Sequence, residues 1–163
     1  MDDRAVVERQ LGRPPRALRR VVVRCPFGRP AVTEQAPFDA SGEPFPTTYY
    51  LTCPQLVARL ARLEAAGGVE AWSARARQDR ALGESLERAN DEQRSLRREL
   101  APGREHPSLE LGIGGSARHG SLKCLHAHAA YALARPGYGL GEAILAEAAP
   151  LWPADRCCVD AGR

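Results

Sequence analysis

The sequence predicts an α+β protein, in which a small antiparallel sheet of about three strands is covered by helices within a single domain. Three observations lead to this prediction. Short segments rich in β-branched and aromatic residues occupy the first third of the chain, proline and glycine separate them, and helical periodicity dominates the remainder. A length of 163 residues suits one domain with a substantial core better than two.

Three short strands are expected near the N-terminus. A β-branched, apolar run predicts the first over Arg19–Cys25, and Ala31–Gln35 can return beside it after a Pro-Phe-Gly turn. The threonines and tyrosines of Thr47–Thr52 predict the third strand. An antiparallel sheet is the most economical arrangement of these three segments.

Helices are expected in most of the remaining chain. Residues that favour caps, turns or breaks bound each of them, such as Gly12 and Pro136. The expected helices span residues 2–11, the run from Pro54 to Gly67-Gly68, most of 69–100 with a break within Gln78–Gly83, Ser121–Ala134, and Gly141–Ala149.

One apolar seam marks the second half of the long helical segment. Its positions alternate spacings of four and three residues: Leu82, Leu86, Ala89, Gln93, Leu96 and Leu100. A seam of under three heptads favours a helix that packs on its own domain over a dimerising coiled coil. A protein-interaction module that uses the 82–100 helix to bind an unknown protein partner stays open as a functional class.

The expected organisation is an N-terminal helix and arm over residues 1–18, one α+β domain over 19–150, and a C-terminal tail over 151–163. No apolar run reaches the ~18–20 residues of a membrane span, and the N-terminus lacks a signal-like apolar stretch. A cytoplasmic location with reduced thiols is therefore expected, which suits the odd number of five cysteines. The net charge of +3 comes from scattered arginines, which argues against nucleic-acid binding.

Candidate metal ligands concentrate in Gly112–Pro136, which holds three of the four histidines. On the expected helix, Cys124 and His128 form an i,i+4 pair that can bind one metal ion from a single turn. His126 lies beside the leucine stripe of that helix, and an extended segment would instead place all three side chains on one side. Either geometry offers at least two ligands.

The remaining ligands would come from other segments. Cys25 and Cys53 end predicted strands that can meet at one edge of the sheet, and Cys53 also precedes a helix, whose dipole favours a thiolate. Thiolate and imidazole together favour zinc, while copper or an iron–sulfur centre stays open. For Cys157-Cys158, exposure without a partner is the expectation, and a tail that folds back to lend a thiolate is the alternative.

A glycine-rich loop precedes the expected helix and is a candidate anion site. Backbone N–H groups of such a loop can approach an anion, and nearby cations would strengthen the binding. The Walker pattern is absent, which favours a loop that only turns the chain. The candidate anion-binding residues are Gly114, Gly115, Ser116, Arg118 and Lys123.

Four segments together resemble a known family. They are RCPFGRPAV (Arg24–Val32), PFPTTYYLTCP (Pro44–Pro54), RLE (Arg62–Glu64), and GIGG followed by SLKCLHAH (Gly112–His128). In this order, and over the chain from about Arg20 to Pro150, they resemble the bacterial family called domain of unknown function 501. The resemblance implies no activity, because that family is uncharacterised. It does imply that five candidate ligands belong to family motifs: Cys25, Cys53, Cys124, His126 and His128.

The leading functional hypothesis is a cytosolic protein with a Cys/His metal site, most simply zinc, in a structural or regulatory role. The alternative is a metal-dependent, hydrolase-like enzyme in which the ion keeps one position open for water and the glycine loop holds an anionic or phosphorylated substrate. We expect Cys53, Cys124 and His128 to approach one another within metal-ligand reach.

Overall fold

A computed structural model describes residues 2–160, and within that range it contains six α-helices and one three-stranded antiparallel sheet. The predicted α+β class is confirmed. The strands are β1 (Leu18–Arg24), β2 (Pro30–Gln35) and β3 (Tyr49–Leu51). The helices are α1 (Asp3–Leu11), α2 (Pro54–Ala65), α3 (Gly68–Gln78), α4 (Arg80–Leu100), α5 (Leu125–Ala134) and α6 (Gly139–Ala148).

Strand β2 lies between β1 and β3 and is buried along its whole length. Val32 pairs with Leu51 of β3 on one side and with Val23 of β1 on the other. Because both neighbours run antiparallel to β2, β1 and β3 run parallel to each other. Their C-terminal ends therefore lie at the same end of the sheet.

Local sequence signals explain where the helices begin and end. The Asp2 carboxylate accepts a hydrogen bond from the Arg4 N–H at the start of α1, and Gly12 ends that helix in the left-handed conformation. Asp79 ends α3 and caps α4, where its carboxylate accepts from the Leu82 N–H. The break expected within 78–83 is therefore confirmed, since the Asp79 side chain starts a new helix.

Helix α5 forms the centre of the core. It packs against β3 and α6, and Leu125, Ala129 and Ala130 are fully buried. Burial of a leucine side chain contributes about 1.5–3 kcal/mol, so this helix anchors the domain. At Gly141 a Cβ atom would lie 2.7 Å from the Ala132 Cβ, which shows how closely α6 approaches α5.

The seam of α4 is covered by the domain itself. Leu86, Ala89 and Gln93 are buried, and α4 packs against α3 and α6. The prediction of a helix packed on its own domain is confirmed. Sequence periodicity did not indicate the burial of Arg97, whose side chain donates to the carbonyls of Phe45 (2.9 Å) and Ser108 (3.3 Å).

Helix α5 begins at Leu125, four residues later than the Ser121 start that the sequence predicts. Residues 121–124 are not helical, and the Leu122 N–H donates to the Ser73 hydroxyl instead. Cys124 therefore precedes the helix in an extended conformation, so that Cys124 and His128 are not an i,i+4 pair within it. Over residues 2–160, none of the helices has the length and apolar character required to cross a bilayer.

Candidate functional site

Two cysteines lie at the same end of the sheet. Cys25 follows β1 and Cys53 follows β3, and both side chains are buried. The parallel course of β1 and β3 places both residues at the same end of the sheet. Because β2 lies between them, the two strand ends are separated by about two interstrand spacings, or ~10 Å.

The C-terminal segment folds back onto this end of the sheet. The Sγ atoms of Cys158 and Cys53 are 3.8 Å apart, and Cys157 lies close enough to Cys25 for the Cys25 thiol to contribute to the raised pKa of Cys157. We call these four side chains the thiol cluster. Cys157 is buried and Cys158 is half-buried, so the expectation of exposed cysteines without partners is wrong. The packing of Leu151 and Trp152 against the core explains why, since it carries the segment inward.

Two thiols of the cluster, those of Cys53 and Cys157, have pKa values above the ordinary range of a cysteine. Burial raises the pKa of Cys53, and the neighbouring Cys158 raises it further, although the N–H groups at the start of α2 act in the opposite direction. Burial likewise raises the pKa of Cys157, and Cys25 adds to the effect. The helix start that favours a Cys53 thiolate is present, but burial outweighs it.

His126 is held by two protein groups at the start of α5. Its Nδ1 atom lies 2.5 Å from the Glu64 carboxylate, and its Nε2 atom lies 3.1 Å from the Val57 carbonyl. Glu64 also accepts a hydrogen bond from the Leu125 N–H, so the carboxylate caps the helix as well. Both ring nitrogens of His126 therefore lie within hydrogen-bonding distance of protein acceptors.

His128 belongs to the interior between α5 and α6. Its side chain is 1% exposed, and its Nδ1 atom forms a hydrogen bond of 2.7 Å with the Tyr138 hydroxyl. Among residues 2–160, its Nε2 atom has no hydrogen-bond partner. Burial lowers the pKa of His128 to about 3, so the ring is neutral at physiological pH.

Cys124 lines a cleft of about 310 Å³ between β3, α2 and α5. His126 and Tyr49 line the same cleft, which otherwise has apolar walls. Burial raises the pKa of Cys124, although N–H groups of the first turn of α5 act against it. Burial therefore disfavours the Cys124 thiolate, which is the nucleophilic form of a cysteine.

The glycine-rich loop uses several of its own hydrogen-bonding groups. The Gly115 N–H donates to the Gly112 carbonyl, the Gly112 N–H donates to the Ser116 carbonyl, and the Ser116 hydroxyl points at the Arg118 and Ser121 carbonyls. Arg118 and Lys123 are exposed. A Cβ at Gly115 would lie 2.9 Å from Pro46, so the loop packs against the chain at that point.

In the part of the chain that the structure describes, no group of three or more His, Cys, Asp or Glu side chains is arranged to hold a metal ion. The zinc site and the anion site therefore stay predictions. The sequence did not indicate the roles of Glu64 and Tyr138, which form hydrogen bonds with the Nδ1 atoms of His126 and His128, respectively. The RLE segment contains Glu64 and was the one signal that could have pointed to it.

Comparison with known proteins gives one match. A family model described as "Protein of unknown function (DUF501)" matches residues 21–146, from β1 into α6. The comparisons with curated proteins and with solved structures gave no match. The family match covers the sheet except the first three residues of β1, all helices after α1 except the end of α6, and two of the four residues of the thiol cluster. The chain therefore belongs to the DUF501 family, whose function is unknown.

Proposed function

We propose that the protein binds a zinc ion through the thiol cluster and that the ion has a structural or regulatory role. The observation that carries the proposal is the meeting of Cys53 and Cys158, whose sulfur atoms are 3.8 Å apart although 105 residues separate them in sequence. Cys25, at the end of the other outer strand, lies close enough to Cys157 to contribute to its raised pKa. The cluster retains Cys25 and Cys53 from the sequence prediction and replaces Cys124, His126 and His128.

The sulfur–sulfur distance is compatible with a shared zinc ion and too long for a disulfide bond. Two zinc–sulfur bonds of about 2.3 Å at a tetrahedral angle place the sulfur atoms about 3.8 Å apart. A disulfide requires about 2.05 Å, and all five cysteines are free. Four thiolates with no hard oxygen ligand form a set typical of structural zinc. A reducing cytoplasmic location, as the sequence predicts, would keep the thiols available.

Zinc binding requires the two thiol pairs to converge. The pairs lie at the ends of strands that β2 separates, so the bound state differs from the described one by a movement of the C-terminal segment and the strand ends. Cys157 and Cys158 are adjacent in sequence, and the segment before them contains Pro150 and Pro153, which no helix constrains. The C-terminal segment can therefore move without unfolding a helix, whereas the strand ends are held by the hydrogen bonds from Cys25 N–H to Arg29 and from Cys53 N–H to Ala31.

Zinc binding also requires the thiols to lose protons. Since burial and the neighbouring thiols raise the pKa of Cys53 and Cys157, the ion must displace protons that the apo protein holds firmly. We therefore expect the zinc affinity to rise steeply with pH between about pH 6 and 8. A site that used the neutral His128 ring would show a weaker pH dependence in this range.

The test is the zinc content of protein that is prepared without a histidine tag and kept reduced with a phosphine. We expect about one zinc ion per chain in the wild-type protein and a loss of most of it in Cys53→Ser and Cys158→Ser. Cys124→Ser is the matched control, because it removes a thiol outside the cluster. Its zinc content should equal that of the wild type.

Two results would contradict the proposal. Wild-type protein that is purified without zinc and binds none on titration has no zinc site. Loss of zinc in Cys124→Ser, with retention in Cys158→Ser, would instead return the site to the ligands that the sequence predicts. In unreduced protein, a mass lower by two hydrogen atoms for each pair would show that thiols of the chain have been oxidised to disulfides.

A further inference from the structure

The C-terminal segment brings a partly exposed thiol into contact with a buried one. Cys158 begins the 3₁₀ turn Cys158–Asp160, which packs against α2, and its side chain is half-buried. Cys53 immediately precedes α2 and is 3% exposed. Because the two Sγ atoms lie 3.8 Å apart, a reagent that reacts with Cys158 from solvent leaves its product beside a second thiol.

The environments of the two thiols set the order in which an oxidant meets them. Burial raises the pKa of Cys53, which disfavours its thiolate, and the same burial keeps solvent away from the sulfur. Oxidation of a cysteine depends on access, so Cys158 is the thiol that a solvent oxidant reaches first. The contact between the sulfur atoms makes the following step with Cys53 intramolecular, which compensates for the low reactivity of a buried thiol.

The distance that remains between the two sulfur atoms can be closed by the C-terminal segment. A disulfide requires the Sγ atoms to approach from 3.8 Å to about 2.05 Å. Residues 149–157 belong to no helix or strand, and Leu151 and Trp152 hold the start of this segment against the core. A rotation of the Cys158 side chain with a small shift of the segment can therefore bring the sulfur atoms together, while β3 and α2 stay in place.

We propose that Cys53 and Cys158 form a redox switch, in which a hydroperoxide oxidises the pair to a disulfide and removes two ligands of the zinc site. The disulfide is inferred from the contact of the two thiols, whereas the loss of zinc rests on the proposed function. Zinc binds cysteine as a thiolate, so the disulfide and a zinc ion held by these two residues exclude each other. The oxidised state also fixes the C-terminal segment covalently to the start of α2, across 105 residues of sequence.

The oxidation takes place in two steps. The Cys158 sulfur attacks one oxygen of hydrogen peroxide, so that an S–O bond forms, the O–O bond breaks, and a sulfenic acid and water result. The Cys53 sulfur then attacks the Cys158 sulfur, the S–S bond forms, and the S–O bond breaks as the hydroxide leaves with the Cys53 proton as a second water. The two thiols lose two electrons to the peroxide. When zinc is bound, solvent supplies the two protons and the ion is released as Zn²⁺.

The first test uses zinc-free, reduced protein, so that it does not depend on the zinc site. The protein is treated with a small molar excess of hydrogen peroxide, alkylated and cleaved after glutamate, which separates Cys25 from Cys53 because Glu34 lies between them. We expect a mass lower by two hydrogen atoms and one pair of linked peptides, which fragmentation assigns to Cys53 and Cys158. Cys158→Ser should lose this link. Cys124→Ser is the matched control, since it removes a thiol outside the cluster, and it should retain the link.

The second test adds one equivalent of zinc before the peroxide and follows the released ion with a colorimetric chelator. We expect zinc to appear in step with the linked peptides and to bind again after reduction with a phosphine. Absence of the link between Cys53 and Cys158 in oxidised zinc-free protein, or a link from Cys53 to another cysteine, would overturn the inference. Zinc that stays bound after the link has formed would also overturn it.

The two tests separate this inference from the proposed function. Protein that forms the link but binds no zinc before oxidation would support the oxidation of the pair and contradict the zinc site. Protein that binds zinc through Cys53 and Cys158 but forms no link would support the zinc site and overturn the redox switch.

Discussion

The thiol cluster and helix α5 both contain residue types that bind zinc, cysteine in the first and histidine in the second. They differ in the protein groups that these side chains contact. In α5, the Nδ1 atom of His126 faces Glu64 and that of His128 bonds to Tyr138. In the thiol cluster, the thiols of Cys53 and Cys158 meet each other. An imidazole with a protein partner stabilises the fold, whereas a thiol that meets only another thiol keeps its capacity to bind a metal.

The difference shows that residue type and sequence spacing are weak evidence for a metal site. Three histidines within ten residues make Gly112–Pro136 the strongest candidate for a metal site in the sequence. The packing of α5 on α6, however, accounts for the buried position of His128. The cluster draws on three distant segments of the chain. Its residues are recognisable only when the topology that brings them together is known.

The largest expected effect separates the structural role of His128 from a metal-binding role. His128→Ala should lower the free energy of unfolding by about 2–4 kcal/mol, because it opens a cavity and leaves the buried Tyr138 hydroxyl without its partner. Urea denaturation measures this loss, and the zinc content should not change. His119→Ala, at an exposed position, should cost under about 0.5 kcal/mol. Loss of zinc in His128→Ala would show that His128 contributes to metal binding, so that the thiol cluster and α5 would not differ in this respect.

The pH dependence of stability gives the next largest effect. Burial lowers the pKa of His128 from 6.5 to about 3, so below pH 6.5 the unfolded chain binds a proton at this ring that the folded protein does not. Stability attributable to this group is therefore lost as the pH falls, by up to about 1.4 kcal/mol per pH unit. Between pH 6.5 and about pH 5, the wild type should lose about 1–2 kcal/mol more than His128→Gln. Equal losses in the two proteins would show that the ring is not buried in its neutral form.

Glu64→Gln tests the other histidine. We expect a loss of about 1–2 kcal/mol in the free energy of unfolding, because the carboxylate both caps α5 and holds the His126 ring. Glu99→Gln, which changes an exposed carboxylate near the end of α4, should lie within about 0.5 kcal/mol of the wild type. An equal, small effect of both substitutions would mean that His126 is free to take another partner.

The smallest effect is expected at Cys124, which lies beside the histidines in sequence and outside the thiol cluster in the fold. Cys124→Ser should shift the melting temperature by no more than the ~2–4 °C that corresponds to about 1 kcal/mol in a domain of this size. A zinc ligand would behave differently, since removal of one from a structural site lowers stability far more. A sharp drop in the melting temperature of Cys124→Ser would therefore indicate that Cys124 is a zinc ligand.

Local signals explain why the fold was largely predictable from the sequence. β-Branched runs placed the three strands within two residues of their observed ends, and Asp2, Gly12 and Asp79 mark helix boundaries through hydrogen bonds that each makes locally. The start of α5 was placed four residues too early. The segment before it is apolar enough for a helix, but a distant hydroxyl on Ser73 and the Glu64 carboxylate decide where the helix begins.

The candidate site was less predictable, because its partners are remote in sequence. The common edge of Cys25 and Cys53 follows from strand direction, which the sequence indicates. The contact between Cys53 and Cys158 depends on how the C-terminal segment packs against the core. No local sequence pattern predicts a contact between residues so far apart in the chain.

The buried Arg97 side chain has a consequence for how the molecule opens. It holds the carbonyls of Phe45 and Ser108, which lie 52 and 11 residues away from it in sequence, and neither acceptor is a carboxylate. Added salt or mild acid, which loosen surface ion pairs, leave these bonds in place. We therefore expect amide hydrogen exchange to occur cooperatively in three segments: the loop around Phe45, the turn at Ser108 and the end of α4.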